Sequence, residues 1–251
     1  MGMRFYMALS ACTVTVVLPA QADQLLYVAA VKDNAILAYE INPTTGELGF
    51  KCKTVLQGSP GVMTSSPDGS IIYAAINDDG QANVATLQRS PDGCLSVLGV
   101  AKLSDSSSTA IAYLCTDQDG RFLLTADYSA GEVTVYRIVD GRFTGEVVDH
   151  QTTEHSAHCV ELDPSGNFVF VPHVKPNKIY QFRFDKNKGT LTPNKPPFVD
   201  GPDKEHRYHD PRNYVHHPKL DIGYTSNENG SGITAWNFDR RTGTLQRGTT
   251  L

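Results

Sequence analysis

The chain has 251 residues, 40% of them hydrophobic, and carries 22 Lys and Arg against 27 Asp and Glu for a net charge of −5. That is enough apolar material for one large domain, and the acidic balance gives no basic footprint for nucleic acid. No run reaches the roughly 18 to 20 apolar residues of a membrane-spanning helix.

The amino terminus reads as a processing segment. Met1-Gly-Met-Arg4 is a positive start, residues 5–19 are mostly apolar, and Ala20-Gln21-Ala22 has the small-x-small form of a cleavage site before Asp23. The expected organisation is a signal peptide over 1–22 and one β domain over 23–251, with the mature protein periplasmic or secreted from a bacterial cell. Cys12 leaves with the leader; Cys52, Cys94, Cys115 and Cys159 remain. Export permits disulfides, and the four allow three connectivities. The apolar strand setting of Cys115 and Cys159 favours buried free thiols instead, and the lack of C-x-x-C spacing argues against zinc.

From residue 25 the chain alternates short apolar or β-branched runs with turn chemistry. Residues 25–31, 35–41 and 48–56 are strands separated by Lys32-Asp-Asn34 and Asn42-Pro-Thr-Thr-Gly46. A fuller unit follows, with strands at 61–66, 71–76, 84–89 and 95–103 and turns at Pro67-Asp-Gly69 and Ser90-Pro-Asp-Gly93. The pattern repeats at 110–150, at 158–191 and beyond, and from 213 to the end. Corresponding turns fall at Pro67, Gln118, Pro164 and Pro218, about 50 residues apart, and a repeat of four strands at that period marks a β-propeller. Runs such as Ile71-Ile-Tyr73, Phe122-Leu-Leu124 and Phe168-Val-Phe170 are apolar on both faces, so each sheet must be covered by neighbours on both sides. The expected fold is all-β: about five blades, the first with three strands and the rest with four. No segment supplies the missing inner strand of the first blade, so the expectation is one of three: the chain is truncated, about five blades close unusually, or the open edges are covered by self-association with another copy.

Histidine gathers in one phrase, His155-Ser-Ala-His158 through Asp163-Pro-Ser-Gly-Asn-Phe-Val-Phe-Val-Pro-His173. Together with Tyr27-Val-Ala-Ala30, Ile41-Asn-Pro-Thr-Thr-Gly-Glu-Leu48, Gly120-Arg-Phe-Leu-Leu124, Asp127-Tyr128, Asp210-Pro-Arg212, His217-Pro218, Tyr224 and Asn227-Glu228, it carries a resemblance. Over residues 25–251 the chain resembles the β-propeller lactonases, the family of propeller-type 6-phosphogluconolactonase and fungal carboxymuconate cyclase. The resemblance implies seven blades, of which about five are present here. It implies a catalytic mouth of the central channel lined by His158, Arg212 and Glu228, with no cofactor and no metal. A further family arginine, from a later blade, has no counterpart in this chain. Asn213 stands where many members have histidine, and His173 where an acidic or small residue is common. With Lys175, these two are the expected substrate-binding residues.

These residue types suit ester opening. Histidine titrates near neutrality and can take a proton from water. A guanidinium can hold a carboxylate or phosphate at two points, or stabilise an oxyanion. A glutamate can orient the histidine, or act as base if its pKa is raised. The expected activity is hydrolysis of a small-molecule sugar lactone, of 6-phosphogluconolactonase type. The alternatives are a non-catalytic envelope scaffold and a lactonising cyclase of carboxymuconate type. His206-x-x-His209 and His216-His217 suggest a metal only faintly, because strand neighbours point to opposite faces.

Overall fold

The computed structural model describes residues 24–103, 111–202, 209–229 and 231–250. The expected leader and His206 lie outside these residues. The described chain is a meander of antiparallel strands in five sheets. The first sheet has three strands, β1 (Gln24–Ala30), β2 (Ala35–Ile41) and β3 (Leu48–Val55). The second holds β4 (Ser59–Ser65), β5 (Ile71–Asp78), β6 (Gln81–Arg89) and β7 (Leu95–Lys102). The third holds β8 (Tyr113–Thr116), β9 (Phe122–Asp127), β10 (Glu132–Val139) and β11 (Arg142–Thr152). The fourth holds β12 (Glu161–Leu162), β13 (Phe168–His173), β14 (Lys178–Asp185) and β15 (Thr190–Asp200). The fifth holds β16 (His209–His216), β17 (Ile222–Asn229), β18 (Gly232–Asp239) and β19 (Thr244–Thr250).

The two-sided runs do what their composition demands. Successive side chains of a strand point to opposite faces. In β5, Ile72, Ala74 and Ile76 pack with Ile36 and Leu56 of the first sheet, while Ile71, Tyr73 and Ala75 pack with Leu123, Tyr136 and Phe143 of the third. In β13, Val169 and Val171 join Phe122 and Leu124, whereas Phe168 and Phe170 join Tyr214, Trp236 and Phe238. The core is thus a series of slabs between consecutive sheets. Among the described residues no slab joins the first sheet to the fifth, and apolar side chains on their outer faces stay open: Phe50 is 60% exposed, Val215 60% and Ile233 55%. Aspartates build the turns. Asp117 Oδ1 accepts from the N–H groups of Arg121 and Phe122, and Asp163 Oδ1 from those of Asn167 and Phe168. Their carboxylates are consumed by the backbone, which leaves plain turns.

Two local expectations are corrected. The strand expected from residue 158 is only the two-residue β12. Ala157 bridges His173 and Glu161 pairs with Phe170, so the inner segment holds one residue more than its partner and His158 lies in the irregular stretch. The cysteines are not all free: Cys52 and Cys94 form a disulfide with Cα atoms 6.0 Å apart, and Cys115 and Cys159 are free and buried. Stacking causes the pairing, because it lays β3 of the first sheet beside the turn before β7 of the second; Thr54 Oγ1 donates to Leu95 O there at 2.9 Å.

The disulfide closes a separation of 42 residues, for which chain entropy gives about 4 kcal/mol. Reduction, or paired Cys52→Ala and Cys94→Ala substitution, should lower stability by roughly 2–4 kcal/mol in urea titrations. An unchanged midpoint would show that the link carries no stability.

Candidate active site

The same pairing recurs at one end of successive sheets. Pro60 pairs with Ile76, Ala157 with His173, and Pro211 with Asn227. In each sheet this pair joins the start of the innermost segment to the end of the next strand. The residue that follows is therefore one structural position: Gly61, His158 and Arg212. Ala112 occupies it in the third sheet, since its N–H donates to Ala126 O at 3.0 Å just as that of His158 donates to Pro172 O at 3.0 Å. At Arg212 the register slips between Pro211 and Asn213, making Arg212 the extra residue of a bulge. A bulge re-aims a side chain, and here the guanidinium reaches across the sheet boundary.

Arg212 Nε donates to His158 Nε2 at 2.9 Å and lies 3.2 Å from Glu228 Oε2. The three residues expected from the sequence thus form one cluster. Its order differs from the expectation that Glu228 orients His158, because Glu228 holds Arg212, which in turn faces the histidine. Arginine donates only, so His158 Nε2 presents its lone pair and Nδ1 carries the proton. Nδ1 is buried without a hydrogen-bond partner among the described residues. The ring of Tyr128 stands edge-on to that imidazole, with centroids 5.8 Å apart. Burial, then the charge of Arg212, push the His158 pKa below its ordinary value, with Glu228 opposing them. His158 is therefore a neutral base at neutral pH. The side chains of Arg212 and Glu228 are 47% and 42% exposed. The terminal guanidinium nitrogens meet no acceptor among the described residues, so they are open to an anionic group.

The expected substrate-binding residues fare differently. His173 is fully buried; Nδ1 donates to Val171 O at 2.9 Å, and Nε2 accepts from Thr153 Oγ1 at 2.8 Å. Burial depresses its pKa to about 4. With both nitrogens engaged inside the protein, it is a structural residue, which corrects the expectation of substrate contact. Asn213 neighbours Arg212, but its amide lies 3.3 Å from Ser226 Oγ on β17. Lys175 is exposed on the β13–β14 turn. Tyr128 was given no role from the sequence. The signal was available: it lies as far beyond Gln118 as Glu228 lies beyond Pro218. Of the second histidine pair, His217 Nδ1 accepts from the N–H groups of Lys219 and Leu220, and His216 packs edge-on against Phe238.

Comparison with known sequences shows the family. A family model described as lactonase, 7-bladed beta-propeller, matches residues 25–251. The chain belongs to this lactonase family. It is 27% identical over 226 residues to a 6-phosphogluconolactonase of Enterobacter sp. (strain 638), covering 89% of this chain and 64% of that protein. It is 29% identical over 213 residues to a 6-phosphogluconolactonase of Cronobacter sakazakii, covering 85% of this chain and 60% of that one. The chain thus spans less than two thirds of the length of these relatives. Among solved structures, the periplasmic gluconolactonase of Pseudomonas aeruginosa superposes with a TM-score of 0.74 at 20% identity, over 91% of this chain and 67% of that one. That likeness shows the shared fold.

Removing the guanidinium charge takes away an influence that disfavours the imidazolium and leaves Glu228, which favours it. Arg212→Gln should therefore raise the His158 pKa, read by NMR titration of the imidazole with His158→Gln to assign the signal. A value that stays or falls would mean that Arg212 does not set the protonation of His158.

Proposed function

We propose that this chain hydrolyses a sugar lactone at the His158–Arg212–Glu228 mouth. The observation that carries the reading is the hydrogen bond from Arg212 to the unprotonated nitrogen of a histidine kept neutral by burial. It sets a general base beside an electrophilic cation with open donors. A lactone bound to Arg212 displaces that contact and exposes the Nε2 lone pair to water. His158 Nε2 takes a proton as the water oxygen attacks the acyl carbon, and Arg212 stabilises the oxyanion. Collapse breaks the ring acyl–oxygen bond, and the imidazolium returns the proton to the leaving oxygen, giving the open hydroxy acid. Glu228 keeps the guanidinium in place throughout. The family membership and the 6-phosphogluconolactonase relatives support this reading.

The apolar leader pattern and the Cys52–Cys94 bond support an exported protein in an oxidising compartment. Phosphorylated sugars are cytoplasmic metabolites, so an unphosphorylated aldonolactone is the preferred substrate. Mass spectrometry of the periplasmic fraction should find Asp23 at the amino terminus; an intact Met1 in the cytosol would remove this part.

The deciding experiment is hydrolysis of δ-gluconolactone and 6-phosphogluconolactone, corrected for spontaneous opening. His158→Ala should lower kcat/KM by about 10²–10⁴, and Arg212→Ala by about 10²–10³. The rate should be flat above neutrality and fall in acid as His158 protonates, with a midpoint below the ordinary histidine value of about 6.5. Wild-type turnover at background, from a protein that melts cooperatively, would sink the enzymatic reading.

A further inference from the structure

Two residues before each of the two inner-segment site residues the chain turns left-handed. Ser156 has φ 69° ahead of His158, and Asp210 has φ 65° ahead of Arg212. Such a conformation needs outside support in residues other than glycine. In both cases the preceding sheet provides it, by catching the N–H group. The Ser156 N–H donates to the main-chain oxygen of Tyr128 at 2.7 Å, and that of Asp210 donates to the side-chain oxygen of Asn177 at 2.9 Å. The first clasp uses an atom that every sequence has. The second depends on one amide.

That amide is held with care. Asn177 is buried, with φ 57°, and its Nδ2 donates to Pro202 O at 2.7 Å. The Gly201 N–H donates to Asn177 O at 2.7 Å, and a Cβ on Gly201 would fall 2.1 Å from Asn177 Oδ1. The backbone has therefore closed around the side chain. Beyond the clasp there is little slack. Pro211, with its fixed φ, is the only residue between Asp210 and Arg212, and it pairs with Asn227. The Asp210 carboxylate is itself held by Asn229 Nδ2.

We infer that Asn177 is a positioning residue of the site: by clasping the backbone at Asp210 across the boundary between the fourth and fifth sheets, it fixes the bulge that aims Arg212 at His158. The catalytic meaning of this rests on the lactonase reading; the clasp itself does not.

Two variants break the clasp by different routes. Asn177→Gly keeps the left-handed backbone and removes the amide. Gly201→Ala leaves every polar group and pushes the amide oxygen aside. The readout is the NMR titration midpoint of His158, with Arg212→Gln as the scale. Both variants should move the midpoint upward, toward the Arg212→Gln value, while melting cooperatively and keeping the emission of buried Trp236. On a hydrolysed lactone they should lower kcat more than they raise KM. A wild-type midpoint in both folded variants, with Arg212→Gln shifted, makes Asn177 a structural tie and overturns the inference. Loss of the fold in both would overturn it equally. The titration needs no substrate, so absence of lactone turnover in the wild type removes the functional reading without deciding the clasp.

Discussion

Among the described residues, every sheet except the first and the fifth is apolar on both faces, and that constraint arranges the rest. A strand such as β9 or β13 is buried at every position, so it has no face to give to water. Fully burying one large apolar side chain is worth about 1.5–3 kcal/mol. Neither face of an isolated sheet collects that stabilisation, and each slab exists only between neighbours. The interlock is close: a Cβ on Gly243 would fall 1.9 Å from the ring of Phe168. Sheet stability is therefore shared, and so is sheet position.

The site is a consequence of that shared position. His158 and Arg212 are far apart in the chain and occupy the same place in consecutive sheets. Stacking at a fixed height brings same-place residues together, and the bulge at Arg212 supplies the final reach. Polar chemistry then costs little in fold stability, because it sits where strands begin and the slabs end. Gly61 and Ala112 occupy that place in the second and third sheets, which leaves the charged side of the mouth to the fourth and fifth.

The electrostatics of the trio differ from those of a histidine seated on a carboxylate. Here the carboxylate of Glu228 faces the arginine, and the other histidine nitrogen is buried without an acceptor. A buried unmade hydrogen bond costs about 1–3 kcal/mol, and the imidazolium has no direct counter-ion. The unmade bond is common to both protonation states; burial and the Arg212 charge are what favour neutral imidazole. Such a base suits an ester that is already activated by its ring more than an amide, which needs a strong push at the leaving group.

Strand-turn-strand phrases, their repeat and the two-sided apolar runs are local properties, so the sequence alone determined the sheets, their order and the three-stranded first unit. His158, Arg212 and Glu228 were legible through their motifs. Tyr128 was open to the same counting, since the repeat places it with Glu228. Tertiary structure decided what depends on contact between sheets. It joined Cys52 to Cys94, because only stacking lays the first sheet against the second. It buried His173, whose bonding partners Thr153 and Val171 no spacing identifies. It set Glu228 on Arg212 rather than on His158, and it gave Asn177, an ordinary turn asparagine in the sequence, the backbone of another sheet to hold. A strand's periodicity tells which way a side chain points; what waits there is fixed by the neighbouring sheet.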